Sequence, residues 1–218
     1  MKIRNLSEQP SLVSQYMAEL RDVARHGDRM RFRHNLKRIG QIMAYEVSRE
    51  IAFARTEVTT PLGIAHCDVV GEQVVVGTIL RAGLPLHEGV LSYFDNAENA
   101  FVSAYRKYRP GSDDFDIHIE YLASPSIEGK TLILTDPMLA TGASMELAYK
   151  ALLTKGTPKK VHVVSVIASQ KAVDFVAKTL PCDSTTLWIA AIDPNLNAHS
   201  YIVPGLGDAG DLAFGEKD

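Results

Sequence analysis

From residue 73 onward, short apolar runs alternate with stretches of helical spacing, and this alternation constrains the fold more than any other feature. The runs cover residues 74–80, 100–105, 131–135, 161–168 and 187–191. They are nearly continuous in apolar and β-branched residues, so none leaves a polar face for water. That pattern predicts strands buried on both faces, as in a parallel sheet covered by helices, and hence an open α/β fold. One segment departs from it. Phe115, Ile117, Ile119 and Tyr121 alternate with Asp114, Asp116, His118 and Glu120, the period-two signature of a half-exposed strand in a hairpin arm. Upstream, Leu12, Tyr16, Met17, Leu20 and Val23 recur at three-and-four spacing, as do Phe32, Leu36, Ile39, Met43 and Val47; both predict amphipathic helices packed on a core. At 218 residues, without internal repeat, the chain is expected to form one domain over 1–218.

Composition matters mainly for what it excludes. A formal charge of −3 argues against wrapping nucleic acid, which needs a basic excess. The seven histidines show no metal-ligand spacing, and Cys67 and Cys182 lie too far apart in sequence to suggest a zinc site or a disulfide framework. No apolar run approaches membrane-spanning length, so a cytoplasmic protein with two free thiols is expected. The basic group Arg29, Arg31, Arg33, Lys37 and Arg38 reads as a solvated helix face rather than an effector site.

Open parallel sheets bind ligands at the carboxyl ends of their strands. There the chain places Arg81-Ala82-Gly83 after 74–80, Arg106 after 100–105, Asp136 after 131–135 and Asp193 after 187–191. Any one of these could be a solvated strand end. Two arginines and an acid on one edge suit a polyanionic, hydroxylated ligand. The sharpest feature is the run Asp136, Pro137, Met138, Leu139, Ala140, Thr141, Gly142, Ala143 and Ser144, which follows a buried strand and opens a helix through Leu147, Ala148, Ala151 and Leu152. Backbone N–H groups at such a helix start, with the Thr141 and Ser144 hydroxyls, form a phosphate cradle, and Asp136 can accept from ribose hydroxyls. Taken alone, Thr-Gly-x-Ser would read as a helix cap. The Gly-Lys-Ser/Thr ending of a Walker A loop is absent.

These residues resemble the type I phosphoribosyltransferases, and the 136–144 loop is similar to that of the uracil phosphoribosyltransferases, with Ala143 in place of a second glycine. Ile79-Leu80-Arg81-Ala82-Gly83-Leu84 resembles the family's pyrophosphate-side motif, and Tyr105-Arg106 its second arginine. The segment from Tyr201 to Asp211 resembles its uracil-binding segment, which distinguishes the family from purine and orotate enzymes; Arg31-Phe32-Arg33 and Tyr45-Glu46 are weaker matches. Departures fall at Ala198 and Ser200, where the family commonly has Glu and Gly, and at the Ala168-Ser169-Gln170-Lys171 loop.

The resemblance implies a parallel-sheet core with a small hood formed by chain ends and loops. It implies transfer of phosphoribosyl from phosphoribosyl pyrophosphate to uracil, giving UMP and pyrophosphate. Catalytic roles would fall to Arg81, Arg106, Asp136 and Asp208, with Arg81, Arg106, residues 136–144 and Asp208 on phosphoribosyl pyrophosphate, and Ile202, Gly207, Asp208 and Ala209 around uracil. Mg²⁺ would be held through the substrate pyrophosphate, with no protein metal site. A homo-oligomer, dimer or tetramer, is implied too. No residue stands out as the base for uracil N1; Asp208 acting through water is the candidate. The competing reading is a regulatory protein of the same fold that senses phosphoribosyl pyrophosphate without turnover.

Overall fold

The structure is a computed structural model describing residues 1–108 and 115–216, with the side chains of residues 104–119 outside the description. In chain order its elements are β1 (Lys2–Asn5), α1 (Leu12–Arg21), α2 (Arg29–Ser48), β2 (Phe53–Thr60), β3 (Gly63–Val70), β4 (Val74–Leu80), α3 (Leu84–Leu91), β5 (Glu98–Tyr108) and β6 (Phe115–Ala123). There follow β7 (Thr131–Thr135), β8 (Met138–Leu139), α4 (Ala143–Leu152), β9 (Lys160–Ser169), α5 (Gln170–Thr179), β10 (Thr185–Asp193), β11 (Asn195–Leu196), β12 (Ile202–Val203) and α6 (Ala209–Phe214).

The central sheet runs β1-β10-β9-β7-β4-β5-β6, with β8 pairing β9. Every pairing is parallel except β5 with β6, which forms the expected hairpin at one edge. Alternate residues of each inner strand serve opposite faces. Ile133, Val164 and Trp188 pack with Leu20 of α1, Leu36, Ile39 and Met43 of α2 and Leu86 of α3. Leu132, Leu134, Val163 and Leu187 pack with Met145 and Leu152 of α4 and Val173 and Val176 of α5. Both faces are therefore dry, which is why these strands lack polar alternation. Each such aliphatic side chain contributes roughly 1.5–3 kcal/mol by leaving water.

Two features of this topology position the site. From β4 the chain crosses through α3 to β5 on one side, whereas from β7 it crosses through α4 to β9 on the other. The strand order thus reverses between β4 and β7, leaving a crevice at their carboxyl ends. The second is the C-terminal segment, in which α6 packs against α2 and β12 lies near β9, making the hood-like cover expected from loops and the chain end.

At the N-terminus Lys2–Asn5 extends the sheet by pairing with β10, and α1 reaches the cover through Arg21, which donates to the Gly205 carbonyl. Three expectations need correction. In α1 the buried residues are Val13, Met17 and Leu20, while Leu12, the first helical residue, is exposed, and exposed Val23 lies beyond the helix end at Arg21. Residues 168–171 form the end of β9 and the first turn of α5 rather than a loop, with Ser169 capping that helix through the Ala172 N–H. Asp193 is the last residue of β10, not a residue beyond it. The β2–β3 hairpin was not anticipated; both strands are largely exposed and lack the core-facing alternation that marks a half-buried strand.

Candidate active site

β4 and β7 are hydrogen-bonded neighbours, with Thr78 opposite Thr135, so Asp136 and, two positions further along, Arg81 both emerge at the carboxyl ends of adjacent strands. Asp136 is 9% exposed, and its Oδ1 accepts from the Met138 N–H at 3.2 Å. Burial pushes its carboxyl up to about 7, against a smaller lowering by that hydrogen bond. Arg81 donates through Nη2 to Asp211 Oδ1 at 2.9 Å and to the Gly215 carbonyl at 2.7 Å. Its Nε is buried with no hydrogen-bond partner among the described residues. A buried donor left unpaired costs about 1–3 kcal/mol, so the group fits an anionic acceptor brought by a ligand.

The loop after Asp136 closes on α4. Gly142 is the N-cap, at φ +82°, and as a glycine brings no capping side chain of its own. A Cβ at Gly142 would also lie 2.9 Å from the Phe175 ring and 3.1 Å from Val176, so both conformation and space require glycine here. Part of the capping reading of Thr-Gly-x-Ser holds, through the Thr141 hydroxyl. Thr141 Oγ1 accepts from the Ala143 N–H at 3.4 Å, and the α4 N-terminus opens on a small cavity lined by Asp136, Met138 to Gly142, Ser144 and Met145. Such a helix start is suited to a phosphate. Ser169, assigned no part by the sequence, steadies the loop by donating to the Ala140 carbonyl at 2.6 Å. Ala143 occupies the first helical turn at negative φ, so its replacement of glycine introduces no backbone strain. Strain lies instead at Ser200, with φ +60°, which costs a non-glycine residue roughly 1–2 kcal/mol.

The glycine-rich C-terminal segment reaches this crevice. The Ala209 N–H points at Met138 Sδ, 3.4 Å away. A thioether is a weak acceptor, so a strong backbone donor is held only loosely. A Cβ placed on Gly210 would lie 3.9 Å from both Ala82 Cβ and Arg81 Nε. The three segments after β4, after β7 and after β12 thus meet. Ile202 and Ala209 are buried within this meeting point. Asp208 caps α6, its Oδ1 accepting from the Gly210 and Asp211 N–H groups at 2.8 and 3.0 Å. The sequence did not foresee that duty, nor the Asp211 contact with Arg81. Arg106 lies on β5, next to β4, and its side chain is outside the described residues.

Other candidates are engaged elsewhere. Arg31 pairs with Glu19, Arg33 donates to the Ala213 carbonyl, Lys37 pairs with Glu88, and Arg38 donates to Asn35 and lies over the Tyr16 ring. These contacts fit a structural helix face. A cavity of about 540 Å³ is bounded by α2, α3, β5 and α6 and includes Arg33, His34, Lys37, Leu84 and Phe101, but none of the three converging loops.

Comparison with known proteins agrees with this geometry. The sequence model of the uracil phosphoribosyltransferase family matches residues 7–216. A uracil phosphoribosyltransferase of Porphyromonas gingivalis is 60% identical over 217 residues, covering 100% of both chains. Another, from Pyrobaculum arsenaticum, is 43% identical over 185 residues, 84% of this chain and 86% of its own. A solved structure from Aquifex aeolicus superposes with a TM-score of 0.86 at 30% identity, covering 98% of each chain.

Proposed function

We infer the function from one premise: the chain belongs to the uracil phosphoribosyltransferase family. It transfers the phosphoribosyl group of phosphoribosyl pyrophosphate to uracil, giving UMP and pyrophosphate. The observation that carries the assignment of residues is the convergence of the three segments, seen in the Ala209 contact with Met138 and the closeness of Gly210 to Arg81.

Breaking the bond from C1′ to pyrophosphate leaves positive charge on the ribose and negative charge on the leaving group, so catalysis lies in positioning and charge stabilisation. The N–H groups opening α4, with the hydroxyls of Thr141 and Ser144, would hold the 5′-phosphate. Asp136 would accept from the ribose hydroxyls and, once ionised, stabilise the electron-poor ring. Arg81 would turn its unpaired Nε–H toward the departing pyrophosphate, with Arg106 from the adjoining strand as its partner. The Ile202 carbonyl and the N–H groups of Gly207 and Ala209 would frame uracil. Asp208, beside that frame, would take the N1 proton through a water molecule.

Among the described residues no group of three or more His, Cys, Asp or Glu side chains could hold a metal, and Asp136 is the one carboxylate lining the cradle. That donor set fits Mg²⁺ carried on substrate oxygens rather than caged by protein. When bound there, the ion supplies neutralising charge to the pyrophosphate.

No helix among the described residues is long and apolar enough to cross a membrane. We place the reaction in the cytoplasm, a reading supported by the two free thiols, Cys67 and Cys182. A homo-oligomer is supported by the projecting β2–β3 hairpin, which exposes Phe53, Val58, Leu62, Ile64 and Val70.

The test mixes the protein with magnesium, phosphoribosyl pyrophosphate and uracil. UMP and pyrophosphate should form, and chelating the magnesium should stop the reaction. Nucleotide formation with a purine base and none with uracil would overturn the reading.

A further inference from the structure

Asp193 stood out in the sequence as an acid at the ligand-binding edge of the sheet, yet the proposed reaction gives it no task. The structure shows what occupies it. Asp193 is 5% exposed, and Arg21, from the last turn of α1, meets it as a two-pronged fork: Nη1 donates to Oδ2 and Nη2 to Oδ1, each at 2.7 Å. The same pair grips one residue of the C-terminal segment through both of its backbone groups. The Gly205 N–H donates to Asp193 Oδ2 at 2.8 Å, and Arg21 Nη1 donates to the Gly205 carbonyl at 2.9 Å.

Gly205 is the tightest point of that segment. Its φ is +67°, and a Cβ there would lie 2.0 Å from the Ile202 carbonyl oxygen, so the chain folds sharply back between residues 202 and 205. On one side of the gripped residue stands the Ile202 carbonyl; on the other, after Leu206, Gly207 and Asp208, stands the Ala209 N–H. These are the backbone groups assigned to opposite partners on the edge of uracil. A shift of Gly205 would therefore change the spacing of an acceptor and a donor that must both meet one rigid ring.

We propose that Arg21 and Asp193 are positioning residues for base recognition: they clamp Gly205 and thereby set the distance between the Ile202 carbonyl and the Ala209 N–H, without touching substrate. This rests on the reading of residues 202–209 as the uracil site. Both Asp193 oxygens are occupied by Arg21 and Gly205, which removes the acid from the list of ligand contacts. Burial alone would raise the Asp193 carboxyl, but the hydrogen bonds from Arg21 and Gly205 outweigh it and hold it below the usual carboxylate range. The clamp is thus charged and fully paired at neutral pH. A Lys at position 21 would keep the charge but lose the planar fork that reaches Asp193 and Gly205 together.

A pair that merely fastened α1 to the sheet would lower the melting temperature of its variants without favouring one substrate. A pair that sets the base-reading turn separates the two substrates. The full-length Arg21→Gln, Arg21→Lys and Asp193→Asn variants are assayed beside the parent, below their measured melting temperatures, varying uracil and phosphoribosyl pyrophosphate in turn. Arg21→Gln should raise KM for uracil about tenfold or more while KM for phosphoribosyl pyrophosphate stays within about twofold, with Arg21→Lys falling between it and the parent. An unchanged KM for uracil, or an equal rise in both constants, overturns the clamp. Should Arg21→Gln fail to fold, Arg21→Lys and Asp193→Asn decide by the same ratio. A parent that makes no UMP sinks the uracil reading and the clamp with it, whereas an active parent with unshifted variants sinks the clamp alone.

Discussion

Asp136→Asn is expected to give a folded protein that is more stable than the parent at pH 8 and almost inactive. The stability half follows from burial. The carboxyl of Asp136 is raised from its ordinary value to about 7, so the folded state holds a proton that the unfolded chain releases near 3.8. Stability from this group is therefore complete below about pH 3.8, declines as the pH rises, and is lost above about 7. Asn cannot ionise and escapes the penalty. The gain should be on the order of 1–4 kcal/mol at pH 8 and should shrink as the pH falls toward 4. Denaturant titrations at several pH values measure it. The activity half follows from charge. Only the ionised form can stabilise an electron-poor ribose, so the loss should be about 10²-fold or more and fall on kcat rather than on KM for phosphoribosyl pyrophosphate. A loss confined to KM would make Asp136 a binding residue only. An unaltered stability at pH 8 would mean that the carboxylate is better solvated than its burial indicates.

Discrimination between bases should be comparably large. Uracil presents O4 as an acceptor and N3–H as a donor, whereas cytosine presents an amino donor and an unprotonated N3. The Ala209 N–H rests on a thioether that a carbonyl oxygen would readily replace, and the tight turn at Gly205 fixes the Ile202 carbonyl. Neither backbone group can exchange donor for acceptor. Cytosine would set donor against donor and acceptor against acceptor, and each unpaired buried group costs about 1–3 kcal/mol. Taken together, the two mismatches should lower kcat/KM for cytosine by roughly 10²- to 10⁴-fold relative to uracil. A fluorine at C5 alters neither edge, so 5-fluorouracil should be accepted. Similar kcat/KM values for cytosine and uracil would refute recognition by fixed backbone groups.

The ease with which these features could be read from the sequence follows the range of the interactions behind them. The bounds of β4 and β7 agree with the apolar runs at 74–80 and 131–135 because burial on both faces leaves a continuous local signal. Arg81 and Asp136 were legible for the same reason: each directly follows such a run. The β2–β3 hairpin was not, since a two-stranded arm with both faces exposed has no core to impose a period. Residues that act across the chain left still less trace. Arg21 and Asp193 are 172 positions apart, and Arg81 and Asp211 are 130 apart. Asp208 was noticed as an acid in a glycine-rich segment, but its role as the cap of α6 depends on a six-residue helix too short to show periodicity. Ser169 reads locally as a residue at a strand end; its hold on the Ala140 carbonyl exists only once β9 lies beside the cradle.

In the proposed function three separated segments form one site, with the phosphate at the start of α4 and the base against residues 202–209. A crystal structure of the protein with UMP tests it most directly. The 5′-phosphate should lie among the N–H groups and hydroxyls of Thr141 to Ser144, the ribose beside Asp136, and the uracil edge between the Ile202 carbonyl and the Ala209 N–H, with Met138 Sδ displaced as that donor's partner. A nucleotide bound instead in the cavity between α2 and α3, or with its base away from residues 202–209, would contradict the account.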